Sequence, residues 1–380
     1  MSAKQLASCT YPSSHLTWVE IDASALRSNI RAIQRSVGPR MHLMPIIKSN
    51  AYGHGMLGVA HALKHTVRWF GVANSTEALQ LRRHNIHQRI VVLSYFNAEE
   101  ISECIENNID LPIFDEHSYH QILRVAKQLG TRARVQIKID VGTSRIGFRD
   151  EDTKSVQRIL CDPFLSVAGI YSHYSSSEEN QALTQEQLKL FSIQLQKFSP
   201  SPPAIHIACS AALCYTDLSN QTLVRVGLST YGLQPSLHLP KNRNISFQPA
   251  LTWKTRLLQV KSIPSGTSVG YGAQFTARRR MRIGVLPCGY FEGLPRSISP
   301  GGHVLIAGKR AKFLGRICMN LSMVDLTQIP SAKPGIPVIL IGKSGTRTVT
   351  ADDHARWTGT ISYEVVTRIQ PFLPRLFRSS

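Results

Sequence analysis

An α/β barrel followed by a mostly β domain is the architecture this sequence predicts, and three observations predict it. Short apolar β-type runs alternate with helix-type segments about eight times between residues 16 and 237. From residue 238 the chain changes to short β-rich runs split by Gly and Pro. Charged and polar residues recur just past the strands of the first part, the end of a barrel that carries active groups.

The elements follow in order. Residues 42–47 read as an apolar strand and 54–64 as the helix after it. The pair recurs at 69–73 and 75–83, and again at 90–94 and 98–105. A strand over 111–114 precedes a helix over 118–129, and 134–139 is the next strand. Residues 167–171 form another, followed by a helical stretch over 184–198. Strands at 204–208 and 223–226 complete the series. The expected domains are therefore a (β/α)8 TIM-type barrel over 1–237 and a β-rich domain over 238–380, with Pro235, Pro240 and Pro249 at the junction. Within the second domain the β runs are 250–263, 282–287, 303–306, 312–314, 323–326 and 337–341.

Composition bounds the function. The 380 residues hold 44 Lys and Arg against 24 Asp and Glu, a formal net charge of +20. With 42% hydrophobic residues the chain is too apolar to be disordered. No stretch approaches the roughly 20 apolar residues of a membrane span, and the first residues lack the apolar core of a secretory signal. Seven scattered cysteines without a C-x-x-C pair argue against a disulfide framework or a structural zinc, and for reduced thiols in the cytoplasm. No metal site is expected. The positive charge is spread out; its densest run is Arg278, Arg279 and Arg280 with Arg282, and no nucleic-acid recognition signature accompanies it. A solvated basic surface, with no specific nucleic acid and no membrane partner, is the expectation.

Several stretches could carry chemistry. Ile46-Ile47-Lys48-Ser49-Asn50-Ala51-Tyr52-Gly53-His54-Gly55 puts a lysine at a strand end, where burial and nearby cations can strip its proton and leave a nucleophile. A lysine that snorkels out of the barrel fits the same pattern. Tyr52 and its glycines could close over a phosphate. Lys138 through Phe148 repeats the theme, with Arg145 as a fork donor for a phenolate or carboxylate. His173 follows a strand, as structural histidines also do. His206-Ile207-Ala208-Cys209-Ser210 and Arg225-Val226-Gly227-Leu228 fall at the seventh and eighth strand ends, where barrels commonly bind phosphate. Tyr271 lies between two glycines, as a core anchor or an acid–base group. The stretches around Met319 and Tyr363 have no mechanism readable alone.

Taken together these stretches resemble one family. I-K-S-N-A-Y-G-H-G is similar to the V-K-A-N-A-Y-G-H-G signature of alanine racemases, and the other six stretches occur in that family's order and spacing between Val19 and Arg368. The resemblance implies a dimeric barrel enzyme with pyridoxal 5'-phosphate as cofactor and each active site built from both chains of a homodimer. Lys48 would hold the cofactor as a Schiff base. Tyr52, Ser210, Gly227, Leu228 and Tyr363 would cradle its phosphate, Arg225 would face the pyridine nitrogen, and His173 would sit by the ring. Arg145 would face the phenolic oxygen and the substrate. Tyr271 and Met319 would come from the partner chain. Lys138 matches a lysine that in many members carries a carbamate. The implied activity is interconversion of L- and D-alanine by two bases, Lys48 on the D-isomer's α-proton and Tyr271 on the L-isomer's, in a cytoplasmic enzyme supplying D-alanine for peptidoglycan.

Departures from the pattern keep other readings open. The usual D-T-G-M is Asp140-Val141-Gly142-Thr143, H-x-A-N-S carries Cys209 for the amide, C-M-D ends in Asn320, and G-Y-A-D-G is Gly289-Tyr290-Phe291-Glu292-Gly293. A racemase of serine or of broader scope, or a non-catalytic pyridoxal-phosphate-binding protein, are the alternatives. Barrel-fold decarboxylases of basic amino acids typically have a glutamate where this chain has Arg225.

Overall fold

The computed structural model describes residues 15–235 and 245–378. It contains two compact units: Ala25–Ala51 with Met56–Gln248, and Met1–Ser24 with Tyr52–Gly55 and Pro249–Ser380. The boundary expected between 237 and 238 lies outside the described residues, as do Cys9 and Pro240. The N-terminal strand β1 (Thr17–Asp22) was expected within the barrel domain; it groups with the second unit because it pairs antiparallel with β10 (Leu251–Arg256) and parallel with β20 (Arg375–Arg378).

The first unit is a closed ring of parallel strands. In order they are β2 (His42–Pro45), β3 (Trp69–Asn74), β4 (Arg89–Tyr95), β5 (Leu111–Ile113), β6 (Ala133–Lys138), β7 (Leu165–Tyr171), β8 (Ala204–His206) and β9 (Leu223–Val226). Ladders or single bridges join each to the next, Ile46 to Gly71 and Val91 to Asp110 among them. Thr222 N donates to Ile205 O and Arg225 N to Ala208 O, and β9 pairs with β2, which closes the ring. Helices Ala23–Val37, Met56–Leu63, Ser75–Arg83, Ile101–Glu106, Glu116–Leu129, Thr153–Leu160 and Gln181–Leu195 intervene. Their ends are set locally. Asn74 caps one helix by accepting from Glu77 N; Asp115 and Ser118 form a reciprocal capping box, and Gly130 ends that helix at φ 61°.

Side-chain alternation orders the inside of the ring. Along β6, Val135 and Ile137 share one face while Arg134, Gln136 and Lys138 share the other. The polar face meets Asp110, His206 and Tyr171, giving an interior whose successive levels are polar rather than the branched aliphatic layers usual in such barrels.

The second unit is a mixed sheet in the order β11-β14-β17-β16-β15-β18-β10-β1-β20, with β11 (Gln259–Ile263), β14 (Met281–Leu286), β15 (His303–Ile306), β16 (Lys309–Leu314), β17 (Ser322–Asp325) and β18 (Pro337–Ser344); β12 (Ser268–Val269) and β13 (Phe275–Thr276) form a separate pair, and β19 (Arg347–Val349) pairs with β18. The β run expected over 250–263 is two strands: Leu257 N turns to Ile336 O and Leu258 N to Val285 O, so β10 and β11 pair with different neighbours. Two helices, Ala351–Thr358 and Ser362–Thr367, also belong here. Among the described residues no helix is long and apolar enough to cross a membrane.

Candidate active site

Lys48 follows β2 at the mouth of the ring. The backbone ahead of it is pinned, with Ile46 N on Val226 O and Ile47 N on Gly71 O, both at 2.8 Å. Behind it Ser49, Asn50 and Ala51 are all left-handed at φ 54°, and Tyr52 continues at φ 52°. Such a turn costs L-residues about 1–2 kcal/mol each. Side chains hold it: Ser49 N donates to Glu77 Oε1 at 2.6 Å, and Asn50 Oδ1 accepts from Met56 N at 2.9 Å. Burial lowers the Lys48 ammonium's pKa from its usual value, helped by Arg145 and Arg225 and opposed by Glu77.

Arg145 is carried by a loop that returns onto β6. Phe148 N donates to Lys138 O at 2.9 Å and Asp140 N to Phe148 O at 2.8 Å. Asp140 Oδ1 accepts from Gly142 N, Thr143 N and Thr143 Oγ1 at 2.8–3.0 Å. Burial would raise the Asp140 carboxyl's pKa, but these bonds hold it below the ordinary value. Thr143, one of the departures noted above, thus has a defined task.

Lys138 ends β6 with 2% of its surface exposed, and its Nζ has no hydrogen-bond partner. It lies 5.0 Å from the centroid of the Tyr171 ring. Burial, then Arg225 and Arg145, push its pKa well down, against a smaller pull from Asp140.

Arg225 on β9 is buried, and five acceptors surround its guanidinium. NH1 donates to His206 Nδ1 at 2.6 Å and His206 O at 3.1 Å; NH2 donates to Ser172 O at 2.6 Å, Ile207 O at 3.0 Å and His173 Nδ1 at 3.1 Å. His173 is held neutral by burial and then by Arg225, Lys138, Arg145 and Lys48. Gly227 N donates to Ser210 Oγ at 2.9 Å, and Leu228 begins a buried 3₁₀ turn ending at Tyr231. Lys48, Lys138, Arg145, His173 and Arg225 therefore form one mutually interacting set. Its basic side chains outnumber the carboxylates that act on them, Glu77 and Asp140. An anionic, ring-bearing ligand with a reactive carbonyl, which a neutral amine can attack, fits this donor set, and a phosphorylated pyridoxal has all three properties.

The second unit holds the remaining expected residues. Tyr52 and Tyr363 bring their ring centroids to 5.9 Å. Gly53 permits this: a Cβ there would stand 2.0 Å from Val366 O. Tyr271 sits between Gly270 at φ 75° and Gly272 at φ 73°, and is 71% exposed. Met319 is 55% exposed. Beneath it Phe291 N donates to Met319 O, and Asn320 Nδ2 donates to Glu292 Oε1 at 2.9 Å.

Three participants were not singled out from sequence: His206 as a partner of Arg225, Gln136 beyond it, and Tyr171 stacked on His206 with centroids 5.1 Å apart. The signal was the period-two polar alternation in the buried strand R-V-Q-I-K.

Known proteins share this fold. The model of the alanine racemase N-terminal domain matches residues 21–235, and that of the C-terminal domain matches 250–377. Alanine racemase of Methylacidiphilum infernorum is 35% identical over all of this chain and 97% of its own length. That of Desulforamulus reducens is 36% identical over 95% of this chain and 98% of its own. Among solved structures, alanine racemase of Clostridium difficile superposes with a TM-score of 0.91 at 30% identity, covering 97% of each chain. The enzyme from D-cycloserine-producing Streptomyces lavendulae gives 0.91 at 33% identity, covering 97% of this chain and 98% of that one. The chain belongs to the alanine racemase family.

Proposed function

We propose that this protein interconverts L- and D-alanine using pyridoxal 5'-phosphate, with Lys48 and Tyr271 exchanging the α-proton. Alanine racemases depend on that cofactor. The observation that carries the reading is Lys48 itself: a lysine at a barrel mouth whose burial, reinforced by two arginines against Glu77, lowers its ammonium's pKa.

Bound there, pyridoxal phosphate supplies an electron sink that makes an amino acid's α-C–H exchangeable. Lys48 would attach it. Ser210 and the backbone of Gly227 and Leu228, with the hydroxyls of Tyr52 and Tyr363, would hold its phosphate. Arg145 would meet its phenolic oxygen and the substrate carboxylate, and His173 would border the ring. Arg225 would donate to the pyridine nitrogen. A guanidinium has no site to accept a proton and repels one on its neighbour, so Arg225 would keep that nitrogen unprotonated and the sink moderate. That restrains transamination.

Exchange with inversion needs a proton carrier on each side of the α-carbon. Lys48 takes and returns the proton of the D-isomer, and Tyr271 that of the L-isomer. Tyr271 would act from the second chain of a homodimer, with Met319 beside it on the substrate. The exposure of Tyr271, Met319, Tyr290, Phe291, Leu321 and Phe372 supports a face made to be covered. Lys138, whose ammonium burial makes easier to deprotonate, would in its neutral form add carbon dioxide: its nitrogen would bond to the carbon and release a proton to water, and the carbamate would accept from Arg145. The cytoplasm, where small amino acids and free cofactor are plentiful, is the compartment this role implies.

The test is direct. Protein loaded with pyridoxal phosphate should convert L-alanine to D-alanine and admit solvent deuterium at Cα, with L-serine and larger amino acids handled more slowly. Loaded protein that admits no deuterium into alanine overturns the reading.

A further inference from the structure

The barrel interior carries a run of polar groups that the two-base reading leaves unused. Arg225 is a buried cation, yet its five acceptors are all neutral: two imidazole nitrogens and three carbonyls. A buried charge without compensation is costly. Following the hydrogen bonds away from it leads to an anion. His206 Nδ1 must accept, since a guanidinium only donates. Burial, then Arg225 and Lys138, keep the ring neutral, so its one proton lies on Nε2. Nε2 is 2.8 Å from Gln136 Oε1, which therefore accepts. The Gln136 amide is thereby oriented, and its Nε2 donates to Asp110 Oδ2 at 2.9 Å. Asp110 is a fully buried carboxylate, with Arg134 Nε at 2.9 Å and Arg89 Nε at 3.3 Å.

Each donor in this run points the same way, from Arg225 toward Asp110, so the bonds polarise one another. The alternative arrangement fails as a whole. A proton on His206 Nδ1 would set donor against donor at Arg225. Gln136 would then have to turn its amide nitrogen to His206 and its carbonyl to the Asp110 carboxylate, acceptor against acceptor. Packing defends the arrangement too. The Tyr171 ring lies nearly parallel to His206, at 8°. Gly169 leaves room for the amide, since a Cβ there would stand 2.8 Å from Gln136 Oε1 and 2.7 Å from Ala204 O.

We propose that Gln136 and Asp110 are positioning residues for Arg225: they fix His206 as the Nε2–H tautomer, and so hold the guanidinium in the place where the proposed function sets the pyridine nitrogen. The proposal rests on that function for its consequence, and on the hydrogen bonds alone for its geometry.

The experiment uses the full-length holoenzyme labelled with [15N]histidine, with His206→Asn to assign the resonances, beside Gln136→Leu and the isosteric Asp110→Asn. The wild type should show His206 protonated at Nε2 only. Gln136→Leu should populate the Nδ1–H tautomer, shift the visible band of the bound cofactor, and lower kcat about tenfold while KM for alanine moves little. Asp110→Asn should change all three in the same direction and less. An Nδ1–H signal in the wild type overturns the proposal whatever the variants do. So does a wild-type tautomer and visible band in whichever of the two variants folds. Failure of the wild type to racemise alanine would instead break the functional reading, and leaves the tautomer result standing.

Discussion

The proposed function gives Lys48 and Tyr271 the same task, taking a proton from one carbon, and the chain presents them by opposite means. Lys48 is set in the barrel unit by a left-handed turn, by Glu77 beneath its backbone and by burial among arginines that lowers its proton affinity. Tyr271 stands on a glycine-flanked turn of the sheet unit, 71% exposed, with no hydrogen bond to its hydroxyl among the described residues. One base is tuned inside its own chain. In the proposed homodimer the other would be completed by the partner chain.

The sharpest way to break the comparison is Lys48→Ala. It should abolish the visible absorbance of the lysine-bound cofactor and reduce racemisation roughly 10⁴-fold or more, in both directions equally. Persistent absorbance in that variant would mean that another amine holds the cofactor. Tyr271→Phe should act on one direction. Deuterium entry from L-alanine should fall about 10²–10⁴-fold, entry from D-alanine much less, and the visible band should stay. Equal losses from the two isomers would remove the division of labour.

Much of this was legible in the sequence, and the rest was hidden for identifiable reasons. The strand at 223–226 and the helix at 75–83 were read to the residue, because their apolar periodicity is uninterrupted and turn residues flank them. The residues at the mouth stood out because charge at the end of an apolar run is conspicuous. Helix Ala351–Thr358 was missed although Thr350 and Asp353 form its capping box, a signal too short to notice among β runs. The allocation of Tyr52–Gly55 to the sheet unit was not readable either, since it depends on Gly53 meeting Val366 and Arg375 Nε donating to Gly53 O, contacts far apart in sequence. The interior run from Arg225 to Asp110 joins four strand regions, and no local pattern links them.

Buried histidines sharpen the same contrast. His206 is wired at both nitrogens to groups that bear on Arg225. His354 in the sheet unit gives Nε2 to Leu340 O at 2.9 Å, leaves Nδ1 unpartnered, and packs beside Trp253 and Trp357. Burial lowers its pKa to about 4 from 6.5. The unfolded chain therefore takes up a proton first as pH falls below 6.5, and stability drains away until the folded ring titrates near 4. The loss over that window is about 3 kcal/mol. His354→Phe, which keeps the ring packing, should flatten the acid limb of a denaturant-midpoint profile by an amount of that order. An acid limb unchanged in the variant would place the sensitivity elsewhere.

The smallest effect should come from Asn320, at the exposed face beside Met319. The family's usual pattern has an aspartate at this point and another in the stretch that here carries Glu292. In this chain the two positions form a hydrogen bond, Asn320 Nδ2 to Glu292 Oε1 at 2.9 Å, while Glu292 Oε2 accepts from Gly289 N at 2.7 Å. Glu292 is only 8% exposed, so its carboxylate needs both donors. An amide supplies one; a carboxylate would supply none and would repel. Asn320→Asp should therefore cost about 1 kcal/mol at neutral pH, and the cost should shrink as acid protonates the new pair, because a carboxyl pressed against another has a raised pKa in the folded state. Racemisation by the intact pair of proton carriers should change less than stability does. A variant as stable as the wild type at neutral pH would show that Asn320 only borders this face, and that Glu292 is held by Gly289 alone.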